Sequence, residues 1–283
     1  MYIMSIALHA SSFAAFIGKN PYAKQHEVFE KPWQRASPAT YSAALQRHQR
    51  VTDLERLEVL RSKVPEVDIT LHAAETSVSA SATLVADRRE TLTKELGGDA
   101  ILTLDEKRLV NDEIRKQLFT RYGTAQERSV LDILVDEMGM ELSPEDTDSA
   151  YTKVFVTANG TPWKLVGRID ACTLDNTTVI EVKNRVKRLF MHATEYERIQ
   201  VECYLRLVHT AERALLVESL YTDGVGRTLN IIPLQKDDVL WEEWCRVAEM
   251  YVDYLHRMIH DPSLQDTYFK SKRPSVFLRK ILE

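Results

Sequence analysis

The chain has little cysteine: Cys172, Cys203 and Cys245 are the only three in 283 residues. They are widely spread and odd in number, which argues against a paired disulfide framework, and no two stand in the CxxC spacing of a zinc site. Three thiolates also fall short of the four that hold an iron–sulfur cluster within one chain. They read as buried or half-buried thiols of a reducing compartment. No apolar run reaches membrane-spanning length, so no membrane role is expected. The N-terminus lacks the basic flank and sustained apolar stretch of a secretion signal, so an intracellular protein is expected. An excess of positive charge is missing too: 37 Lys and Arg against 42 Asp and Glu leave a formal charge of −5. That speaks against a surface coated with cations, but not against a basic groove on an acidic body, because phosphate contact depends on the local field.

What is present is the ordinary balance of a folded chain, 44% apolar and 28% charged. A chain of this length buries a sizeable core as one large domain or two small ones. Residues 11–18, SSFAAFIG, predict a short helix capped by Ser11 or Ser12, with Phe13, Phe16 and Ile17 on one face and Gly18 as its stop. Asn20–Pro21 then turns the chain. A helix is expected near 41–61, whereas the Ser-, Thr- and Ala-rich stretch 69–99 shows poor alternation and reads as an inserted lobe or a loose connection. Helical spacing returns at 103–119 and, after an expected turn at Arg121–Tyr122–Gly123, resumes at 124–138.

From residue 150 the pattern changes. Short strands are predicted near 152–157, 163–173 and 177–183, with hairpin turns at Asn159–Gly160 and Asp175–Asn176. A helix near 190–208, strands near 213–221 and 228–234 and a helix at 237–259 complete an α/β (α+β) core with a mixed sheet. The basic segment 270–280, KSKRPSVFLRK, closes the chain. The expected organisation is an N-terminal box with an inserted, mainly helical region (1–118), a core (119–260) and a basic C-terminal tail (261–283).

Asp170 ends the segment LVGRID, and Glu181 and Lys183 stand two apart in VIEVK. On a strand the latter two share one face, while Ile180 and Val182 point to the other. Two carboxylates can hold a hard divalent ion, and the Val182 carbonyl could add a further oxygen. Such an ion lowers the pKa of a water and stabilises charge developing on a phosphate, and Lys183 adds a positive charge beside it. On its own the spacing is equally that of a surface Asp and an edge-strand Glu/Lys pair. Its setting sharpens it: the strand begins apolar, where an unpaired charge is costly, and Gly167 permits a close approach just before Asp170. Gln200 and Tyr204, four apart, share a helix face, and Glu127 stands early in its expected helix. Taken singly, each also fits a bland surface or half-buried role. Trp33 and Trp163 read as packing residues rather than base-stacking ones.

GRID, VIEVK and QVECY together resemble the PD-(D/E)xK nuclease superfamily, in the branch with a trailing QxxxY helix, and more narrowly the YqaJ-like viral recombinase (lambda-exonuclease-like) family. SSFAAFIGKNPY is similar to that family's N-terminal box, and RYGTAQE to its glycine-then-glutamate segment. The resemblance implies a restriction-endonuclease-like fold with a central mixed sheet flanked by helices. It implies Asp170, Glu181 and Glu127 as metal-binding carboxylates with the Val182 carbonyl, Lys183 as catalytic lysine and Gln200 beside the scissile phosphate. Ser11 would hold a terminal phosphate, Tyr204 would complete the helix motif, and Arg168 and Arg185 are further candidate phosphate contacts. Mg²⁺, with Mn²⁺ able to substitute, is the implied cofactor.

The implied activity is DNA hydrolysis, 5′-to-3′ from duplex ends, in recombination or viral genome processing. DNA and a single-strand annealing protein are the implied partners, and a viral chain in a nucleated host could work in the nucleus. The sequence departs from the pattern in having Ile169 before Asp170 rather than Pro. It also has about a hundred residues between Tyr22 and Arg121, and Met4 where exonuclease members place Arg. An endonuclease acting on DNA or RNA, and a binding or assembly protein without turnover, stay open beside the exonuclease reading.

Overall fold

In the computed structural model, the described residues are 6–77, 81–97, 102–143, 150–271 and 273–282. Met4, Lys272 and residues 144–149, most of an acidic, Pro-containing stretch whose sequence reads as a surface connection (141–149), lie outside them. The N-terminal box opens on a strand, β1 (Ile6–His9), followed by α1 (Ala10–Phe16). The helix therefore starts one residue before Ser11. Neither Ser11 nor Ser12 caps it; His9 stands at the cap position, and Ser12 Oγ donates to the His9 carbonyl at 3.2 Å. Gly18 does end it, at φ +76, with Gly18 N–H and Lys19 N–H reaching back to the Ala15 and Ala14 carbonyls, the Schellman arrangement that a left-handed residue allows. The Asn20 side chain then accepts the Tyr22 N–H at 2.9 Å, fixing the turn.

The single helix expected near 41–61 is two. After α2 (Gln25–Ala36), α3 runs Pro38–Arg47 and α4 runs Asp53–Lys63. Between them Gln49 sits at φ +50, and Thr52 with Glu55 forms a reciprocal capping box that starts α4. The Ser- and Ala-rich stretch is mainly helical: α5 (Pro65–Thr76) and α6 (Ala82–Gly97). These pack with α4 and the first half of α7 around a separate core that includes Leu57, Val67, Leu71, Leu92, Val110, Ile114 and Leu118. α7 is one continuous helix, Leu104–Asp136. The turn expected at Arg121–Gly123 is absent because Val110, Ile114, Leu118, Tyr122, Val130 and Leu134 keep one buried row through it. A helical glycine costs about 1 kcal/mol, less than that row gains by continuing.

The strands are β2 (Tyr151–Val156), β3 (Pro162–Gly167), β4 (Ala171–Cys172) and β5 (Thr178–Arg185), then β6 (Arg213–Thr222) and β7 (Gly226–Gln235) after α8 (Glu195–Leu207). They form two sheets, ordered β1-β3-β2 and β4-β5-β6-β7. Each is mixed: β1 runs parallel to β3 and β5 parallel to β6, the other neighbours being antiparallel. α9 (Asp238–His260) covers the first sheet with α1 and α8, burying Trp241, Trp244, Tyr251 and Leu255 beside Phe13 and Trp163. Trp33 is also wholly buried, its indole N–H on Thr40. Both tryptophans are packing residues, as expected. The basic C-terminal segment is folded against the body as α10 (Pro262–Lys270) and α11 (Pro274–Lys280), with Tyr268, Phe269 and Leu278 buried. This mixed β core flanked by helices, with a helical N-terminal region, is the α/β restriction-endonuclease-like architecture. Among the described residues no helix is long and apolar enough to cross a membrane.

Candidate active site

β5 carries the chemistry because its two faces have different neighbours. Ile180 and Val182 pack against Val130 and Leu134 of α7 and Val217 of β6. Glu181 and Lys183 face α8, and there Lys183 Nζ lies 2.6 Å from Glu181 Oε1. Gln200, in the second turn of α8, completes the set: its Nε2 donates to Glu181 Oε1 at 2.8 Å, and its Oε1 accepts from Lys183 Nζ at 3.0 Å. The same Nε2 reaches the Tyr204 hydroxyl at 2.9 Å. Lys183, which only donates, and the Glu181 carboxylate, which only accepts, thus define which end of the amide is oxygen. Beside β5, Asp170 Oδ2 accepts the Val182 N–H at 2.6 Å. N–H and C=O of one strand residue open to the same edge, so the Val182 carbonyl faces the edge where Asp170 sits.

α8 comes this close because β3 ends in glycine. A Cβ at Gly167 would lie 2.8 Å from both Leu207 Cδ1 and Tyr204 Cε1, and 2.9 Å from Ala10 Cβ. The close approach foreseen there is made by side chains of α8 and α1 rather than by backbone.

Charge is strained in this site. Burial, then the nearby Glu181 and Glu127 carboxylates, push Asp170 well above the usual carboxylate range, against the Val182 N–H and Lys183. Burial and the Glu181 charge also raise Glu127, on α7, with Lys183 opposing. For Lys183, burial favours the neutral amine, yet the Glu181, Asp170 and Glu197 carboxylates outweigh it and hold the ammonium protonated. Burial, then the Glu181 charge, likewise raises the Tyr204 phenol. One oxygen, Glu181 Oε2, is buried without a hydrogen-bond partner.

Among the described residues no group of three or more His, Cys, Asp and Glu side chains is gathered closely enough to hold a metal ion. Glu127, Asp170 and Glu181 sense one another's charge without forming a ready three-carboxylate cage. A small hard cation does not need one, since Mg²⁺ is commonly held by one or two carboxylates and keeps several waters. The orphaned Glu181 oxygen, the mutual repulsion of the carboxylates and an all-oxygen donor set therefore fit a divalent cation of this class.

The remaining sequence candidates are dispersed. Ser11 is exposed on α1 and Arg168 is exposed just before Asp170. Arg185 shares the β5 face of Glu181 and Lys183, yet it points into the protein. Its Nε donates to Glu218 Oε1 at 2.8 Å and its Nη1 to Glu197 Oε1 at 2.7 Å, and its side chain is 11% exposed. The fully buried Glu218 also accepts the Phe190 and Met191 N–H groups, at 3.0 and 2.8 Å, and the Asn230 amide. Burial alone would raise the Glu218 carboxyl, but these donors and Arg185 set it low. This geometry makes Arg185 an internal tie rather than a phosphate contact, and leaves Lys187 and Arg188 as the exposed cations of the loop it anchors. The sequence held a signal for the tie: a lone carboxylate inside the apolar strand LLVESL. Cys172 and Cys203 are buried and Cys245 is half-buried.

No protein-family model matches the chain, and no curated protein matches it. Among solved structures, the chain is similar to an alkaline exonuclease (LHK-Exo) from Laribacter hongkongensis. The identity is 13% and the TM-score 0.38, covering 68% of this chain and 94% of that one. A structure of LHK-Exo in complex with dAMP gives 13% identity and a TM-score of 0.36, covering 68% and 87%.

Proposed function

We propose that the chain is a divalent-metal-dependent nuclease that hydrolyses DNA phosphodiesters at Asp170, Glu181 and Lys183. The observation that carries this is the meeting of two carboxylates, a protonated lysine and a glutamine at one sheet edge, with a buried carboxylate oxygen left unpartnered. A mere binder of nucleic acid gains nothing from carboxylates facing phosphate, since like charges repel.

Asp170, Glu181 and the Val182 carbonyl would hold the cation, with Glu127 contributing from α7. Bound there, Mg²⁺ or Mn²⁺ supplies a lowered water pKa and positive charge against the phosphate. The chain's own groups do the rest. Lys183, kept as an ammonium, acts as a fixed positive charge for the phosphorane-like transition state rather than as a free base. Gln200 holds Lys183 and Glu181 in register, and Tyr204 holds Gln200. Exposed Arg168, Lys187 and Arg188 would track the phosphate backbone, and Ser11 would meet a terminal phosphate.

Within this reading, 5′-to-3′ digestion from duplex ends in recombination or genome processing is the favoured form, supported by the motif order from Ser11 to Tyr204. A single-strand annealing protein is the corresponding partner. The test is incubation of the purified protein with Mg²⁺, Mn²⁺ or chelator and three substrates: end-labelled linear duplex, closed circular duplex and RNA. Loss of label from the linear duplex alone, abolished by chelator, is expected. Cutting of the circle or of RNA would replace the exonuclease with an endonuclease, and binding without cutting would overturn the catalytic reading.

A further inference from the structure

Polar contacts between α7 and the sheet converge on the helical turn that carries Glu127. Asn184, next to Lys183 on β5, donates from Nδ2 to the Gly123 carbonyl at 2.9 Å. Within the unbroken α7, that carbonyl is also the acceptor for the Glu127 N–H four residues on. Arg227, on β7, donates from Nη2 to Gln126 Oε1. Its Nη1 donates to Ser219 Oγ on β6 at 2.6 Å and lies 3.5 Å from Asn184 Oδ1. One guanidinium therefore joins all three long strands of this sheet to α7, one residue from Glu127.

The neighbouring α7–sheet contacts of Val130 and Leu134 with Ile180, Val182 and Val217 are apolar, and apolar packing is non-directional. Among the described residues the Glu127 carboxylate has no hydrogen-bond or ion-pair partner of its own, so only the helix sets its place. The charges acting on Glu127 are those of Glu181 and Lys183, so Arg227 acts on its position rather than on its charge.

We propose that Arg227 and Asn184 are positioning residues: they latch the 123–127 turn of α7 to the sheet and thereby aim Glu127 at the divalent-cation site of Asp170 and Glu181. The inference rests on the metal-dependent reading above and deepens it.

The test is Mn²⁺ titration by calorimetry on the full chain, with circular dichroism for folding. The variants are Arg227→Met, Asn184→Leu, Glu127→Gln, Asp170→Asn and the double variant of Arg227→Met with Glu127→Gln. Arg227→Met is expected to weaken Mn²⁺ binding by roughly tenfold, the scale of outer-sphere substitutions, and Asn184→Leu to weaken it in the same direction. Once Glu127 is replaced, Arg227→Met should cause no further loss, because its effect passes through Glu127. An equal loss in both backgrounds, or no loss from either latch variant, overturns the latch. If Arg227→Met does not fold, Asn184→Leu, assayed with and without Glu127→Gln, decides the question by the same criterion. Mn²⁺ binding that survives Asp170→Asn undiminished overturns the metal site itself, which separates that failure from failure of the latch.

Discussion

Replacing Asp170 by Asn should make the metal-free protein more stable while disabling it. The carboxamide oxygen can still accept the Val182 N–H that Asp170 takes at 2.6 Å, so shape and hydrogen bond survive and only charge is lost. Burial and the Glu181 and Glu127 carboxylates hold the Asp170 carboxyl well above the usual value of 3.8. A group raised on folding binds more protons in the native state between its unfolded and folded pKa. Native stability therefore falls as pH rises through that window. The penalty is absent below the unfolded pKa and complete above the folded one. Removing the charge should therefore raise stability at neutral pH. Urea unfolding in chelator from pH 4 to 8 measures it: the advantage of Asp170→Asn should grow as pH rises. Saturating Mn²⁺ should then offset this advantage, since a ligand at a hundred times its Kd stabilises wild type by about 2.7 kcal/mol. A variant no more stable than wild type in chelator at pH 7, or a difference that does not change with pH, would refute the reasoning.

Three further substitutions separate scaffold from site. Gly167→Ala places a methyl 2.8 Å from Leu207 and Tyr204 atoms; denaturant unfolding should show a loss of about 1–3 kcal/mol, and cleavage should fall because the α8 helix carrying Gln200 must shift. Gly123→Ala should do the opposite: nothing lies within 4 Å of the added Cβ and the helix is continuous, so unfolding should show a gain of about 0.5–1 kcal/mol. Arg185→Ala strands two buried carboxylates, Glu197 and Glu218, and should cost about 3–5 kcal/mol in the same assay. If Arg185 is the internal tie its contacts indicate, its loss should leave the salt slope of DNA binding intact, whereas Lys187→Ala and Arg188→Ala should each lower that slope by about 0.9.

What the sequence made legible was local and periodic. Glu181 and Lys183 share a face because strands have period two, and Gln200 and Tyr204 share one because helices bring residues four apart together; both pairs meet as read. Arg185 obeys the same period, but its binding partners are not local. It does lie on that face, but the carboxylates that claim it come from 12 and 33 residues away, and no local pattern reports such partners. The turn expected at Gly123 does not form, because the buried row of α7 continues past that glycine. The breaks and starts around 48–53 and 103 were written in two Thr-x-x-Glu capping boxes, at Thr52 and Thr103, that the apolar spacing hid. The helical lobe was harder to read for another reason: its core forms between four consecutive helices, each contributing only a few apolar residues.

The central claim is metal-assisted phosphodiester hydrolysis at one edge of β5, and Mg²⁺-dependent turnover of linear duplex DNA tests it most directly. Wild type should cut, and chelator should stop it. Asp170→Asn and Lys183→Ala, each verified as folded, should reduce the rate by about 10²–10³ or more, the range seen when a charge-stabilising group is removed from a prepared site. Cutting that proceeds undiminished in both variants would contradict the account.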